Sequence, residues 1–358
     1  MKNILIIAVA ALTFFACKQQ ETTFTITGTV ANHEMEGAQV RMIQFIDGQM
    51  LTMDSALIVD GTYTFTGSVK APTNVRLNLA DPRTGRMSSP LHHNVILENA
   101  RINITTDAEG DSRVSGTKNN DILQAFLDAE LILQRKRRAS SSEEESRKYV
   151  DELQELRIEF AKNNINNPAG QSQLNNLRSS LPIEQLKEII AHATPATLRV
   201  PEVVRIVDYV QAIEQTAIGQ RFVDLRMPDV NGKEIAISDF AGKGDYVLLD
   251  FTAVWCGPCR AQKPDMIATY NRFKDKGFNI VGIWFDRDHE TWANGMKELN
   301  MPDWPQMSDL KYIRSEGAIR YNVSSLPHSV LLDPNGIIIA KNIKGEELDE
   351  KLERLLGR

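Results

Sequence analysis

Two cysteines separated by two residues, Cys256 and Cys259, are the residues of this sequence best suited to chemistry. They follow the apolar run from Tyr246 to Phe251, so the pair is expected at a junction between a strand and a helix. A thiolate at the first turn of a helix faces unpaired backbone N–H groups and the positive end of the helix dipole, both of which favour the charged form. Cys256 is therefore the expected nucleophile. Cys259, one turn further on, is the expected resolving thiol that closes an intramolecular disulfide.

The other roles open to such a pair are half of a zinc site and a structural disulfide. The sequence has three cysteines, and Cys17 lies far away near the N-terminus, so no second pair completes a four-thiolate site. His289 and His328 follow the pair, but neither has the spacing of a zinc finger. A structural disulfide in so small a ring would be easily reduced and would stabilise little. A redox dithiol is therefore favoured, and no metal or other cofactor is expected.

The segment from Asp250 to Arg260 ends in Trp-Cys-Gly-Pro-Cys-Arg and resembles the active-site segment of thioredoxin. The resemblance implies that Asp250 is buried under the dithiol and acts as a general base towards Cys259. The alternative is an aspartate at the end of a strand that solvent satisfies. The resemblance also implies contacts to substrate from three residues around the nucleophile, which are Trp255, Gly257 and Pro258.

A second segment, from Ser325 to Asp333, resembles the part of the thioredoxin fold in which a cis-proline precedes a core strand. Cis peptide bonds are essentially confined to X-Pro, so Leu326-Pro327 is the expected cis bond, and Leu326 is expected to pair with substrate backbone. The alternative is a trans proline that opens a strand. The family usually has threonine after this proline, whereas this chain has His328, which either tunes the thiolate or points away.

The α/β pattern of residues 218–358 predicts a thioredoxin fold for this domain. Its opening hairpin, its extra helical stretch between Asp286 and Arg320 and its closing hairpin resemble the TlpA/ResA group of membrane-tethered thioredoxins. This resemblance implies protein disulfides as substrates and a membrane electron donor as partner, with cytochrome c maturation as one role in the group. The predicted strands are Phe222–Leu225, Glu234–Ile237, Tyr246–Phe251, Asn279–Phe285, Val330–Leu332 and Ile337–Ala340; the predicted helices are Gly257–Lys274, Glu290–Leu299 and Glu346–Leu356.

The N-terminus predicts export and anchoring. A basic start and a short apolar run make residues 1–16 a signal peptide, because the run is too short to span a bilayer as a helix. The small residue before Cys17 resembles a lipoprotein signal, so Cys17 is expected to be lipidated, with residues 17–22 as lipidated cysteine and tether. The expected location is the cell envelope, on the inner or outer membrane and facing the periplasm. An ordinary secreted form is the alternative.

The region between the tether and the thioredoxin-like domain divides in two. Residues 23–117 alternate like strands and predict a small antiparallel β-sandwich, which resembles the N-terminal domain of unknown function in Bacteroidota-type lipoproteins. Residues 118–217 predict a helical connector of several short helices, because Pro168, Pro182, Pro195 and Pro201 interrupt it. His92 and His93 point to opposite faces of a strand, so they are not expected to bind a metal.

Composition narrows the functions further. The chain of 358 residues has a formal net charge of −6 and no clustered basic groove, so nucleic acid is not an expected partner. Outside the cytosol thiols are oxidised, and this chain keeps its only non-lipidated cysteine pair for activity. The favoured function is a membrane-anchored thiol:disulfide oxidoreductase acting as a reductase. The alternatives are a disulfide oxidant or isomerase and, in another class, a surface binding lipoprotein with a non-essential dithiol.

Overall fold

The computed structural model describes residues 22–46, 49–80, 87–301 and 303–357, which form two compact units. The first unit takes in the described residues up to 181 together with residues 188–198. The second comprises residues 182–187 and 199–357. The predicted signal peptide and Cys17 lie outside the described residues. In the part of the chain that is described, none of the helices is both long enough and apolar enough to cross a bilayer.

The first unit begins with a β-sandwich. Its strands are β1 (Phe24–Val30), β2 (Gln39–Ile46), β3 (Gln49–Leu57), β4 (Thr62–Gly67), β5 (Thr73–Ala80), β6 (Met87–Leu97), β7 (Arg101–Thr106) and β8 (Ser112–Ser115). They form two four-stranded sheets, ordered β4-β1-β7-β8 and β3-β2-β5-β6. Alternate residues of both sheets, among them Ile26, Val40 and Phe65, fill one core between them. The predicted sandwich is present, but β1 and β7 pair in parallel, so the sandwich is not wholly antiparallel.

Helices follow the sandwich: α1 (Lys118–Ala139), α2 (Glu143–Asn164), α3 (Pro168–Leu177), α4 (Ile183–Ile190) and α5 (Pro201–Gln215). The prediction of several short helices was wrong for α1 and α2, which have 22 residues each. No proline falls between 118 and 164, and the chain reverses instead at Ser142, whose hydroxyl caps α2 by accepting from the Glu145 N–H. His92 and His93 fall within β6, but their side chains lie outside the described residues.

The second unit contains a five-stranded sheet, ordered β13-β12-β11-β14-β15. Its strands are β11 (Tyr246–Thr252), β12 (Phe278–Trp284), β13 (Gln306–Met307), β14 (His328–Leu332) and β15 (Ile338–Lys341); its helices are α6 (Gly257–Phe273), α7 (His289–Glu298), α8 (Glu316–Arg320) and α9 (Gly345–Leu356). The central strand β11 is parallel to β12 and antiparallel to β14. Alternate side chains of β11 pack into two different hydrophobic cores, Leu249 into the core on one face of the sheet and Leu248 into the core on the other. The sheet is therefore buried on both faces.

Most predicted elements of this domain are confirmed to within one or two residues. The exception is the first strand of the opening hairpin, because β9 (Arg226–Pro228) pairs with β10 (Glu234–Ala236) and Phe222–Leu225 is not a strand. The backbone N–H of Phe222 donates to Gly336 in the closing hairpin instead, at 2.9 Å. The segment Phe222–Leu225 therefore connects the opening hairpin to the closing hairpin through a backbone hydrogen bond.

Candidate active site

The two cysteines lie where the sequence predicts, between the end of β11 and the start of α6. Cys256 is the N-cap residue of α6, and its sulfur accepts a hydrogen bond from the Cys259 N–H at 3.2 Å. The two sulfurs are joined in a disulfide, with the Cα atoms 5.2 Å apart. Cys256 is 5% exposed and Cys259 is fully buried. A partner can therefore reach the sulfur of Cys256 more easily than that of Cys259.

Three of the predicted substrate contacts surround this disulfide on the surface. Gly257 and Pro258 are exposed, and Trp255 is 48% exposed. The Trp255 indole N–H donates to the carbonyl of Phe285 at 2.9 Å, and its ring centroid lies 4.8 Å from that of Tyr312. This hydrogen bond leaves the exposed part of the indole in a fixed orientation beside Cys256.

Asp250 lies in the middle of the second unit and is only 1% exposed, so the alternative of a solvent-satisfied aspartate was wrong. Its Oδ2 accepts a hydrogen bond from the ammonium of Lys263, which is equally buried. The ammonium also lies 5.2 Å from the ring centroid of Trp284. The other oxygen, Oδ1, has no hydrogen-bond partner within the described residues. A carboxylate with one paired and one free oxygen is suited to exchange a proton with a neighbouring group.

Lys263 was missed in the sequence, where charged residues are normally expected at the surface. The signal that would have found it is its spacing. It follows Cys259 by four residues on α6, so both side chains lie on the same face of the helix. A buried ammonium is tolerated only beside an opposite charge, and Asp250 supplies that charge.

The Leu326-Pro327 bond is cis, as the resemblance implied. Leu326 packs against the hydrophobic cluster that contains Cys256 and Cys259. The next residue, His328, pairs in register with Phe251 of β11, and the two rings lie 5.6 Å apart. The segment is therefore on the same side of the sheet as the dithiol.

Two titratable groups near the site, the half-buried His328 and the buried Asp286, have shifted pKa values. Burial, and then the positive charge of Lys341, lower the pKa of His328 to about 4, so its imidazole is neutral at neutral pH. Asp286 is fully buried, and burial raises its pKa to about 6. The hydrogen bond that its carboxylate accepts from the Val254 N–H acts in the opposite direction. Through this hydrogen bond Asp286 fixes the position of Val254, the residue just before Trp255. The sequence analysis did not single out Asp286 as a site residue.

Comparison with known proteins identifies the second unit. The thiol-disulfide oxidoreductase ResA of Bacillus cereus is 35% identical to this chain over 155 residues, which span 42% of this chain and 83% of ResA. The chain belongs to the ResA family of thiol-disulfide oxidoreductases. In agreement, residues 218–341 match the model of the AhpC/TSA family. The second unit thus has the thioredoxin fold that the sequence predicted, and the chain is an enzyme of this class.

The N-terminal part of the chain has a match of its own, and solved structures resemble part of the chain. Residues 24–123 match a domain of unknown function, DUF4369, which agrees with the predicted N-terminal resemblance. A crystal structure of the thioredoxin domain of a Bacteroides vulgatus thiol-disulfide oxidoreductase is 35% identical and covers 39% of this chain and 98% of that chain, with a TM-score of 0.36. A thiol-disulfide oxidoreductase from Bacteroides fragilis is 32% identical and covers 38% of this chain and 100% of that chain, with a TM-score of 0.36.

Proposed function

We propose that this chain is a lipid-anchored reductase of protein disulfides that works outside the cytoplasm. The single observation that carries the catalytic part is the Cys256–Cys259 disulfide, with Cys256 at the N-cap of a helix and Cys259 buried behind it. The anchoring part rests on the sequence of residues 1–22, in which a signal peptide precedes Cys17.

The chemistry proceeds by two thiol–disulfide exchanges. The Cys256 thiolate attacks one sulfur of a substrate disulfide, so that a mixed disulfide forms and the first substrate thiolate leaves. The Cys259 thiolate then attacks the sulfur of Cys256, which releases the second substrate thiolate and closes the Cys256–Cys259 disulfide. Two electrons pass to the substrate. A membrane-bound dithiol donor must return them before the next cycle.

The neighbouring residues have separate roles in this cycle. Asp250 accepts the proton of Cys259 through the oxygen that has no hydrogen-bond partner, and Lys263 holds the carboxylate in place through the other oxygen. Trp255, Gly257 and Pro258 contact the substrate around the nucleophile. Leu326 and Pro327 orient the substrate backbone, and this is supported by the packing of Leu326 against the cluster that contains both cysteines.

Reduction is the proposed direction, because the Gly-Pro between the cysteines resembles that of reducing thioredoxins. The proposed substrates are oxidised proteins of the periplasm, among which cytochrome c apoproteins are one class. The test is reduction of insulin by the purified protein supplied with dithiothreitol. Wild type should accelerate the reduction, Cys256→Ser should not, and Cys259→Ser should accumulate a mixed disulfide with substrate. Acceleration by Cys256→Ser at the wild-type rate would refute the proposed roles.

The anchor has its own test. Cells that express the chain and are fed radiolabelled palmitate should label the wild-type protein, which should sediment with membranes. Cys17→Ala should remove the label and release the protein into the soluble fraction. A labelled Cys17→Ala protein would show that lipid is attached elsewhere, and an unlabelled wild-type protein would favour the secreted form.

A further inference from the structure

A pocket of about 540 Å³ opens beside the cis-proline, and apart from Pro327 none of its lining residues has a role in the exchange chemistry described above. It lies within the second unit between α5, α6, the segment before β14 and the end of β15. We call it the Pro327 pocket; the lining residues that matter here are Gln262, Pro327, His328, Lys341 and Lys344. Ile213 and Met266 contribute apolar surface to its lining. Pockets of this size bind small molecules or single side chains with a few flanking atoms.

The charged groups of the Pro327 pocket are all basic. Lys341 and Lys344 line it, and none of its described lining residues is an aspartate or a glutamate. The ammonium of Lys341 is half-buried, and its hydrogen bond is to the Thr216 hydroxyl at 3.3 Å. Burial lowers the pKa of Lys341, and no carboxylate among the described residues opposes this shift. An anion in the pocket would supply the missing counter-charge.

His328 adds a second group in need of a partner. Its Nε2 is buried and makes no hydrogen bond with any part of the chain that the structure describes. An unpaired buried polar atom costs free energy, which a hydrogen bond to an incoming ligand would recover. A neutral imidazole can donate one hydrogen bond, and a carboxylate can accept bonds from both the imidazole and the ammonium of Lys341.

The position of the pocket indicates what brings the anion. Pro327 forms part of its wall, and the preceding residue, Leu326, packs on the cluster that contains both cysteines. Gln262, another wall residue, follows Cys259 by three residues on α6. A polypeptide whose cysteine is attacked by Cys256 and whose backbone pairs with Leu326 would therefore run close to the residues that line the pocket.

We propose that the Pro327 pocket binds an acidic side chain of the substrate polypeptide, held by Lys341 and Lys344 and by a hydrogen bond from His328. The enzyme then prefers disulfides that have a glutamate or aspartate within a few residues of the attacked cysteine. This inference rests on the proposed function, since it concerns the substrate of the same dithiol.

The experiment uses a series of disulfide-bonded peptides. Each peptide has either glutamate or glutamine at one of the four positions before or the four positions after the cysteine. For at least one position, the full-length wild-type protein should reduce the glutamate peptide with a kcat/KM about fivefold above that of the glutamine peptide, a modest charge-assisted contribution. Lys341→Gln keeps a side chain able to bond Thr216 and should abolish the preference. Lys344→Gln, at an exposed position, should reduce the preference even if the first variant folds poorly. In both variants the loss of preference should come from slower reduction of the glutamate peptides.

Two controls test whether the preference arises in the Pro327 pocket. Lys233→Gln removes an equal charge from the exposed β9–β10 turn and should leave the preference intact, so a loss there would mean that only net charge matters. Calorimetric binding of matched peptides with serine in place of cysteine does not depend on turnover. If no cysteine peptide is reduced but the serine peptides still discriminate, the reductase proposal fails and the pocket stands. If neither rates nor binding distinguish glutamate from glutamine, the pocket proposal is wrong.

Discussion

Both units of this chain have ion pairs at the surface, but among the described residues only the second unit has a fully buried pair. In the first unit, the Arg113–Asp128 ion pair lies at the surface, with side chains 63% and 36% exposed. In the second, Asp250 and Lys263 are each 1% exposed. Surface pairs cost and contribute little, whereas burying a pair of charges removes their hydration and requires close compensation. The second unit therefore accepts an unfavourable burial of charge on β11 and α6, the strand and the helix that flank the dithiol.

Asn120 and Asp250 are two buried polar residues whose hydrogen bonding differs. Asn120 of α1 is fully buried in the first unit, but its side-chain amide exchanges two hydrogen bonds of 2.9 Å with the backbone of Ile96 in β6. This amide is satisfied and has a structural role. Asp250 instead has one oxygen, Oδ1, without a hydrogen-bond partner among the described residues. Glu98 of the first unit also has a buried carboxylate oxygen without a partner among the described residues, so an unpaired oxygen does not by itself mark a catalytic group. What distinguishes the second unit is that its buried ion pair lies on the strand and the helix that flank the dithiol.

The largest expected effect is on exchange itself. Cys256→Ser removes the nucleophile, so the rate of insulin reduction should fall to the uncatalysed level. Arg113→Ala, in the first unit, should leave the rate within experimental error of the wild type. The comparison between the units would be broken if the first-unit variant were also inactive while its circular dichroism spectrum stayed native.

Breaking the buried ion pair should have the next largest effect. Asp250→Asn leaves the Lys263 ammonium buried without a counter-charge, which should lower the free energy of unfolding by about 3 to 5 kcal/mol. The double variant Asp250→Asn with Lys263→Met should recover much of this stability but not the exchange rate. Urea unfolding provides the measurement, and Arg113→Ala, with a loss below about 1 kcal/mol, is the surface control. An equal loss for the buried and surface variants would remove the distinction drawn above.

A core substitution in the first unit should lower stability without changing redox chemistry. Phe126 and Phe160 stack with ring centroids 4.0 Å apart, where α1 packs on α2. Phe126→Ala should lower the free energy of unfolding by about 3 kcal/mol through lost burial and a cavity. Under conditions where the variant is folded, its reduction potential should match that of the wild type. A shifted potential would mean that the sandwich unit takes part in tuning the dithiol.

The smallest effect is on the pH dependence of stability, because two groups oppose each other. The pKa of Asp286 is raised to about 6 in the folded protein. Asp286 therefore adds to the free energy of unfolding below about pH 4, and this stabilisation, at most about 3 kcal/mol, is lost as the pH rises through 6. The pKa of His328 is lowered to about 4 in the folded protein. His328 therefore adds to the free energy of unfolding above pH 6.5, and this stabilisation is lost as the pH falls through 4.

Single variants separate these two groups. Asp286→Asn should be more stable at pH 6.5 than at pH 4, because only the effect of His328 remains. His328→Gln should show the reverse order, since the effect of Asp286 then acts alone. Urea midpoints at four pH values between 4 and 7 test both, and parallel curves for the two variants would contradict the assigned pKa shifts.

The sequence predicted those parts of the site that depend on local spacing. Cys256 and Cys259 lie in a short motif whose chemistry can be read without a fold, whereas the cis bond at Pro327 was implied by the resemblance to the thioredoxin fold. Lys263 and Asp286 were missed because a charged side chain is buried only when distant residues pack over it, and single-sequence patterns do not report such packing. The parallel pairing of β1 with β7 was missed for a related reason, since alternation predicts strands but not their non-local partners. The length of α1 and α2 was misjudged because prolines later in the region were taken to interrupt all of it.

The reduction potential of the Cys256–Cys259 pair tests the central claim most directly. Purified full-length protein in detergent would be equilibrated in dithiothreitol buffers of defined potential, and the fraction of free thiol would be read by alkylation. A reductase should have a potential near that of thioredoxin, about −270 mV, which requires an electron donor of lower potential. A value near that of a strong oxidant, about −120 mV, would contradict the account and identify the protein as a disulfide donor.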